Sequence, residues 1–102
     1  MWSVYLLRDE TGNLYTGITN DVQRRYLEHL EGGDKAAKYT RAKKQLVLVY
    51  SCAIGDRSRA SQIEYRLKRL PKEKKEEVVR ENDGLPSLLL RVGLTMRESE
   101  ER

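Results

Sequence analysis

Phenylalanine is absent from this 102-residue chain, and cysteine, histidine and tryptophan occur once each. A single cysteine, Cys52, excludes a disulfide framework, and with one histidine there is no Cys/His spacing for structural zinc. That cysteine usage points to a reducing compartment. The N-terminus lacks a basic segment followed by an apolar stretch, and no run approaches the ~18 apolar residues of a membrane span. The sequence therefore reads as cytoplasmic. No internal repeat, low-complexity segment, phosphate-binding glycine loop or dinucleotide glycine fingerprint is present. The length leaves no room for a second independent core, so a single domain over 1–95 with a frayed acidic tail at 96–102 is expected.

Aromatic content is six Tyr and one Trp. A buried Tyr needs a hydrogen-bond partner, so some of these rings are expected to be more than filler. Net charge is only +4, but it is unevenly placed: residues 1–45 carry +2, residues 46–75 carry +5 and residues 76–102 carry −3. A basic middle suits a polyanion such as nucleic acid. Charge alone favours a solvated helix face.

Periodicity gives the element order. Trp2–Leu7 and Asn13–Ile18 alternate as strands around the turn signal Asp9-Glu10-Thr11-Gly12 and form a hairpin. If Arg8 pairs with Gly12, Tyr5 lies directly opposite Tyr15. Thr19, Asn20 and Asp21 can cap a helix to about Leu30, stopped by Gly32-Gly33, with Val22, Tyr26 and Leu30 as its core stripe. Lys35–Lys44 reads as a short basic helix or loop. Gln45–Ala53, a β-branched apolar run, reads as the central or most buried strand. Helices follow over Arg57–Leu70, Lys72–Glu81 and Pro86–Val92. The order β-β-α-(α)-β-α-α predicts a mixed α/β fold, a small three-stranded antiparallel sheet flanked by helices.

Glu64 borders the apolar stripe Ala60, Ile63, Leu67, Leu70 of its helix. A carboxylate there is paired with a cation, solvated at the edge, or bound to a metal, and taken alone the first two are the commoner outcomes. Arg25 and His29 lie four apart on one helical ridge, and His29 is the natural candidate for a group titrating near neutrality. Tyr5 and Tyr15 share a strand face, where plain packing is the usual reason for such a pair. A phenol can accept a proton only if its pKa is lowered, as a cation or metal can do. Each feature has an ordinary structural explanation. Together they offer a phosphate-binding cation, one hard oxygen ligand and several proton-transfer groups. No second carboxylate has comparable placement, so a two-metal site is not expected.

Ser3-Val4-Tyr5, followed by Tyr15-Thr16-Gly17, resembles the paired motifs of the GIY-YIG nuclease superfamily. The family's arginine, ten residues after the second motif's tyrosine, and its His or Tyr four further on fall on Arg25 and His29. Its metal-binding glutamate, on a helix after the third strand, matches Glu64. The resemblance covers about residues 2–80, and LYTGITNDVQRRY and IEYRLKRL are most similar to the small stand-alone bacterial YhbQ-like branch. The first motif departs by lacking its Gly and Ile, and Ile18 stands where some relatives carry a cation. Asn82 reads as a turn residue.

The resemblance implies a catalytic set of Tyr5, Tyr15, Arg25, His29 and Glu64, with one Mg2+ or Mn2+ on Glu64. Arg25 would neutralise transition-state charge, and Tyr5 is the first candidate base. Nucleic acid, expected to be DNA, would be held by Lys35, Lys38, Arg41, Lys43, Lys44, Arg66, Lys68 and Arg69. No organic cofactor and no membrane partner are expected. The competing readings are a nucleic-acid-binding module with weak or vestigial catalysis, and a protein-interaction domain using the Tyr-rich face.

Overall fold

The computed structural model describes residues 1–32 and 45–100. Within them lie β1 (Trp2–Asp9), β2 (Leu14–Thr19), α1 (Val22–Glu31), β3 (Leu46–Gly55), α2 (Arg57–Lys68), α3 (Lys72–Glu81) and α4 (Leu85–Val92). A 3-10 turn at Glu98–Glu100 follows. The sheet is antiparallel throughout with order β2-β1-β3, so the fold is the expected mixed α/β arrangement. The basic stretch expected as a helix or loop at 35–44 lies outside the described residues, together with Lys35, Lys38, Arg41, Lys43 and Lys44.

Central position belongs to β1, not to β3 as the apolar run had suggested. Val4, Tyr5, Leu6 and Leu7 are all buried, which is what a strand covered on both faces requires. Val4 and Leu6 face the main core with Tyr50, Ile63, Leu67, Val78, Leu88 and Leu89. Tyr5 and Leu7 face a smaller cluster with Leu46, Tyr15, Tyr26 and Leu48. The run in β3 misleads because its register against β1 shifts between Leu6 and Leu7. Across that bulge Leu46 and Leu48 serve the smaller cluster while Tyr50 and Ile54 serve the main core. One edge strand thereby feeds both layers and loses its alternation.

The hairpin register also differs from expectation. The Asp9 carboxylate accepts from Thr11 N (2.9 Å), Thr11 Oγ1 (2.6 Å) and Asn13 N (3.1 Å), closing a three-residue loop in which Gly12 has φ +88°. Arg8 therefore pairs with Leu14, and Tyr5 lies opposite Gly17, not Tyr15. A shift of two residues preserves the face, so Tyr5 and Tyr15 remain on one side of the sheet as diagonal neighbours.

Helix α1 starts where expected, with the Asp21 side chain accepting from Arg24 N, and stops at Gly32 with φ +70°. Its rotation is different. Leu30, expected in the core stripe, is 49% exposed, whereas His29 is 1% exposed. Polar partners decide this: the Tyr26 hydroxyl donates to the Leu46 carbonyl at 2.9 Å, and the His29 ring meets Tyr5. Of the acidic end, expected to fray beyond Thr95, the described part makes specific contacts as far as Glu100. Glu100 pairs with buried Arg59 at 3.0 Å, and Arg59 also donates to the Thr95 carbonyl. A guanidinium placed inside α2's core face needs that counterion.

Among the described residues no helix is long and apolar enough to cross a membrane.

Candidate active site

The smaller cluster becomes a polar site at its β2 end. Tyr5 projects from the central strand, and its phenol lies flat across Gly17 of β2. A Cβ built at Gly17 would stand 2.4 Å from Tyr5 Oη and 2.5 Å from Cζ. No side chain other than hydrogen fits there with Tyr5 in place. From that position Tyr5 Oη is 2.9 Å from His29 Nε2. Tyr15 closes a triangle of rings, 6.5 Å from Tyr5 and 5.4 Å from His29 between centroids, the latter edge-on at 64°.

Arg25, one turn before His29, lies close enough to the Tyr5 phenol to act on it electrostatically, and pairs with Glu28 at 2.8 Å. The Arg25–Glu28 spacing of three is a standard helical contact and was readable in the sequence, yet Glu28 was not singled out. Glu64, from α2, acts electrostatically on both Tyr5 and Tyr15, which places it with the group. Among the described residues it makes a loose ion pair with Lys68 at 3.5 Å, the Lys68 side chain being 52% exposed. The five residues singled out as catalytic candidates thus converge from four elements: β1, β2, α1 and α2.

Protonation follows from burial. The Tyr5 phenol is pushed up to about 12, chiefly by desolvation and then by Tyr15, with Arg25 pulling weakly the other way. Tyr15 is also raised by burial, against Arg25. His29 is pushed down to about 4 by burial, with Arg25 adding to the shift. At neutral pH the pair is therefore an uncharged phenol against an uncharged imidazole, and His29 is not a group titrating near 7. In the tautomer with the proton on Nδ1, the Tyr5 hydroxyl donates to Nε2.

The donor set suits one kind of metal. Among the described residues no three His, Cys, Asp or Glu side chains are placed to share an ion, so a caged zinc-type centre has no ligands here. Glu64 supplies one hard oxygen with its side chain 22% exposed, leaving room for water. Mg2+ and Mn2+ accept that arrangement, since Mg2+ commonly binds through one or two carboxylates and keeps several waters.

Of the cations expected to hold nucleic acid, three are described. Arg66 donates to the Val92 and Gly93 carbonyls at 3.1 and 3.2 Å, at the C-terminal end of α4. Lys68 pairs with Glu64, and Arg69 lies over the Tyr65 ring at 5.3 Å. Tyr65 itself drew no attention in the sequence.

A sheet with a phenol–imidazole pair and a facing helical glutamate defines a class, and residues 1–77 match the model of the GIY-YIG catalytic domain. The chain belongs to the GIY-YIG nuclease family. Among known proteins it is 50% identical to the UPF0213 protein YhbQ of Escherichia coli K12 over 88 residues, 86% of each chain. It is 49% identical over the same length to a UPF0213 protein of Citrobacter koseri, again with 86% of each chain covered. The solution structure of a UPF0213 protein from Bacillus halodurans is similar too. It is 36% identical with a TM-score of 0.52, covering 93% of this chain and all of that one.

Proposed function

We propose that this chain hydrolyses a phosphodiester of nucleic acid, with DNA as substrate, as an endonuclease using one divalent ion. The supporting observation is the buried Tyr5–His29 contact at 2.9 Å, held by the close approach of Tyr5 to Gly17. Raised to about 12, the phenol stays protonated at neutral pH and has no lone phenolate with which to take a proton by itself. Joined to a neutral imidazole, it becomes a relay. Tyr5 Oη takes a proton from the attacking water while its own proton passes to His29 Nε2, so no free phenolate forms. The water oxygen bonds to phosphorus, the bond from phosphorus to the 3′ oxygen breaks, and that oxygen takes its proton from solvent. Arg25 supplies positive charge against the phosphoryl oxygens as negative charge builds on them. Tyr15, edge-on to His29, keeps the imidazole in place. Glu64 would hold one Mg2+ or Mn2+, which when bound supplies charge neutralisation at the scissile phosphate and the leaving oxygen. A cytoplasmic setting is part of the same reading and suits the free thiol of Cys52.

The test is a cleavage screen over single-stranded, duplex, flap and branched DNA, with Mg2+, with Mn2+ and with chelator. Glu64→Ala and Arg25→Ala should each reduce metal-dependent cleavage by about 100-fold or more while far-ultraviolet dichroism is unchanged. Cleavage by Glu64→Ala at the wild-type rate would refute the assignment.

A further inference from the structure

We propose that the outer ridge of α2 formed by Arg57, Ser61, Tyr65 and Arg69 seats an unpaired stretch of DNA, with Tyr65 stacking on a base beside the nucleotide held at Glu64. The proposal rests on the nuclease reading and names the substrate form that the site selects. The four residues repeat every fourth position within and just beyond α2, so they lie along one ridge of a helix. From the first to the last they span about 18 Å at 1.5 Å per residue.

The chemistry alternates along that ridge: cation, hydroxyl, aromatic ring, cation. Tyr65 is 63% exposed, and the Arg69 guanidinium carbon sits 5.3 Å from its ring centroid. At the other end, Arg57 lies 5.1 Å from the ring centroid of Trp2, at the start of β1. Each arginine is thus stacked on a ring, which orients it and limits its rotamers. Glu64 and Lys68 occupy the adjoining ridge, linked at 3.5 Å. Tyr65 directly follows Glu64 in α2, so a strand whose phosphate is held near Glu64 through a divalent ion would run beside the Tyr65 ring.

An exposed phenol in this place distinguishes strand forms. Reading a duplex backbone calls for cations and hydrogen-bond donors, which Arg57, Ser61 and Arg69 already provide. A ring adds little there, because paired bases keep their faces stacked on one another. An unpaired base offers its face, and stacking on an aromatic side chain contributes about 1–3 kcal/mol per base irrespective of sequence. Flaps, bulges and single-stranded ends all satisfy this requirement, and a continuous duplex does not.

Fluorescence anisotropy of the full chain in chelator, where no cleavage occurs, tests the idea with a labelled single-stranded oligonucleotide and the duplex of the same sequence. Tyr65→Ala should weaken single-strand binding by about 5- to 100-fold and duplex binding by about twofold or less. Tyr65→Phe should retain both, because stacking uses the ring and not the hydroxyl. Tyr65→Trp should add an indole signal that is quenched by single strand, over and above the response of Trp2. Equal losses on both DNA forms for Tyr65→Ala, or no loss on either, would overturn the proposal. Glu64→Gln separates the two readings. If it cuts like wild type, the nuclease site is wrong, whereas the strand preference of Tyr65 is read in chelator regardless.

Discussion

Gly17 shows how much of the site depends on an atom that is not there. Its backbone has no positive φ to accommodate, so the requirement is one of space: a methyl group would stand 2.4 Å from the Tyr5 hydroxyl. Gly17→Ala must therefore swing the phenol away from His29 or push β2 off β1. Overpacking of this kind costs roughly 1–3 kcal/mol of stability. Displacement of a proton-transfer group by about 1 Å costs on the order of 100-fold in rate. Single-turnover cleavage together with denaturant unfolding should show both losses in Gly17→Ala. Wild-type values in both would mean that Tyr5 has another place to go. The second motif's glycine was visible in the sequence, but the reason for it was not. The hairpin register that sets Gly17 opposite Tyr5 depends on the Asp9 turn.

At the scale of elements, the C-terminal turn and α2 form one unit. Arg59 and Glu100 are 6% and 7% exposed in their side chains, and both guanidinium edge nitrogens Nε and Nη2 reach the carboxylate at 3.0 Å. Arg97 adds a backbone donation to Glu100 at 2.8 Å and an ion pair to Asp56, the N-cap of α2, at 3.3 Å. Removing one partner of a buried pair leaves the other charge without compensation. Glu100→Gln should therefore cost roughly 2–4 kcal/mol, and deletion after Thr95 at least as much. Thermal unfolding of the two variants checks this, and an unchanged midpoint would mean that Arg59 finds water instead. An acidic tail reads as solvated because its sequence is short and polar. Its counterion lies 41 residues earlier, beyond any local pattern.

Across the whole molecule, the shifted groups that titrate below neutrality make stability fall as pH drops. In the unfolded chain His29 takes a proton near its ordinary 6.5, whereas in the fold it does so only at about 4. Between those values the unfolded state binds more protons, so stability falls as pH drops through that window. Glu76, lowered by the Arg8 guanidinium at 2.6–2.7 Å, and Glu100, lowered by Arg59, act in the same sense at more acid pH. Their contribution is held above the ordinary carboxylate range and is lost as each is protonated in the fold. Denaturant unfolding should show a loss of about 2 kcal/mol from His29 between pH 7 and pH 4.5, largely absent in His29→Phe. A wild-type profile flat over that interval would show that His29 is not buried as a neutral ring.

The sequence by itself determined the order of the strands and helices and the faces of the two hairpin strands. Alternation, caps and breakers are local, and motif spacing is carried along the chain. Asp21 and Asp56 as caps, Gly32 as a stop and the apolar stripe of α2 are all readable within a few residues. Tertiary structure alone decided which strand is central, which residue faces Tyr5, and which side of α1 is buried. A bulge in β3, a carboxylate-closed turn and the search of His29 for a polar partner settle these points. Each depends on groups brought together from distant parts of the chain. Burial likewise sets the protonation of the site, which no local pattern shows: the Tyr5 phenol, raised to about 12, and the His29 imidazole, lowered to about 4, are both uncharged at neutral pH.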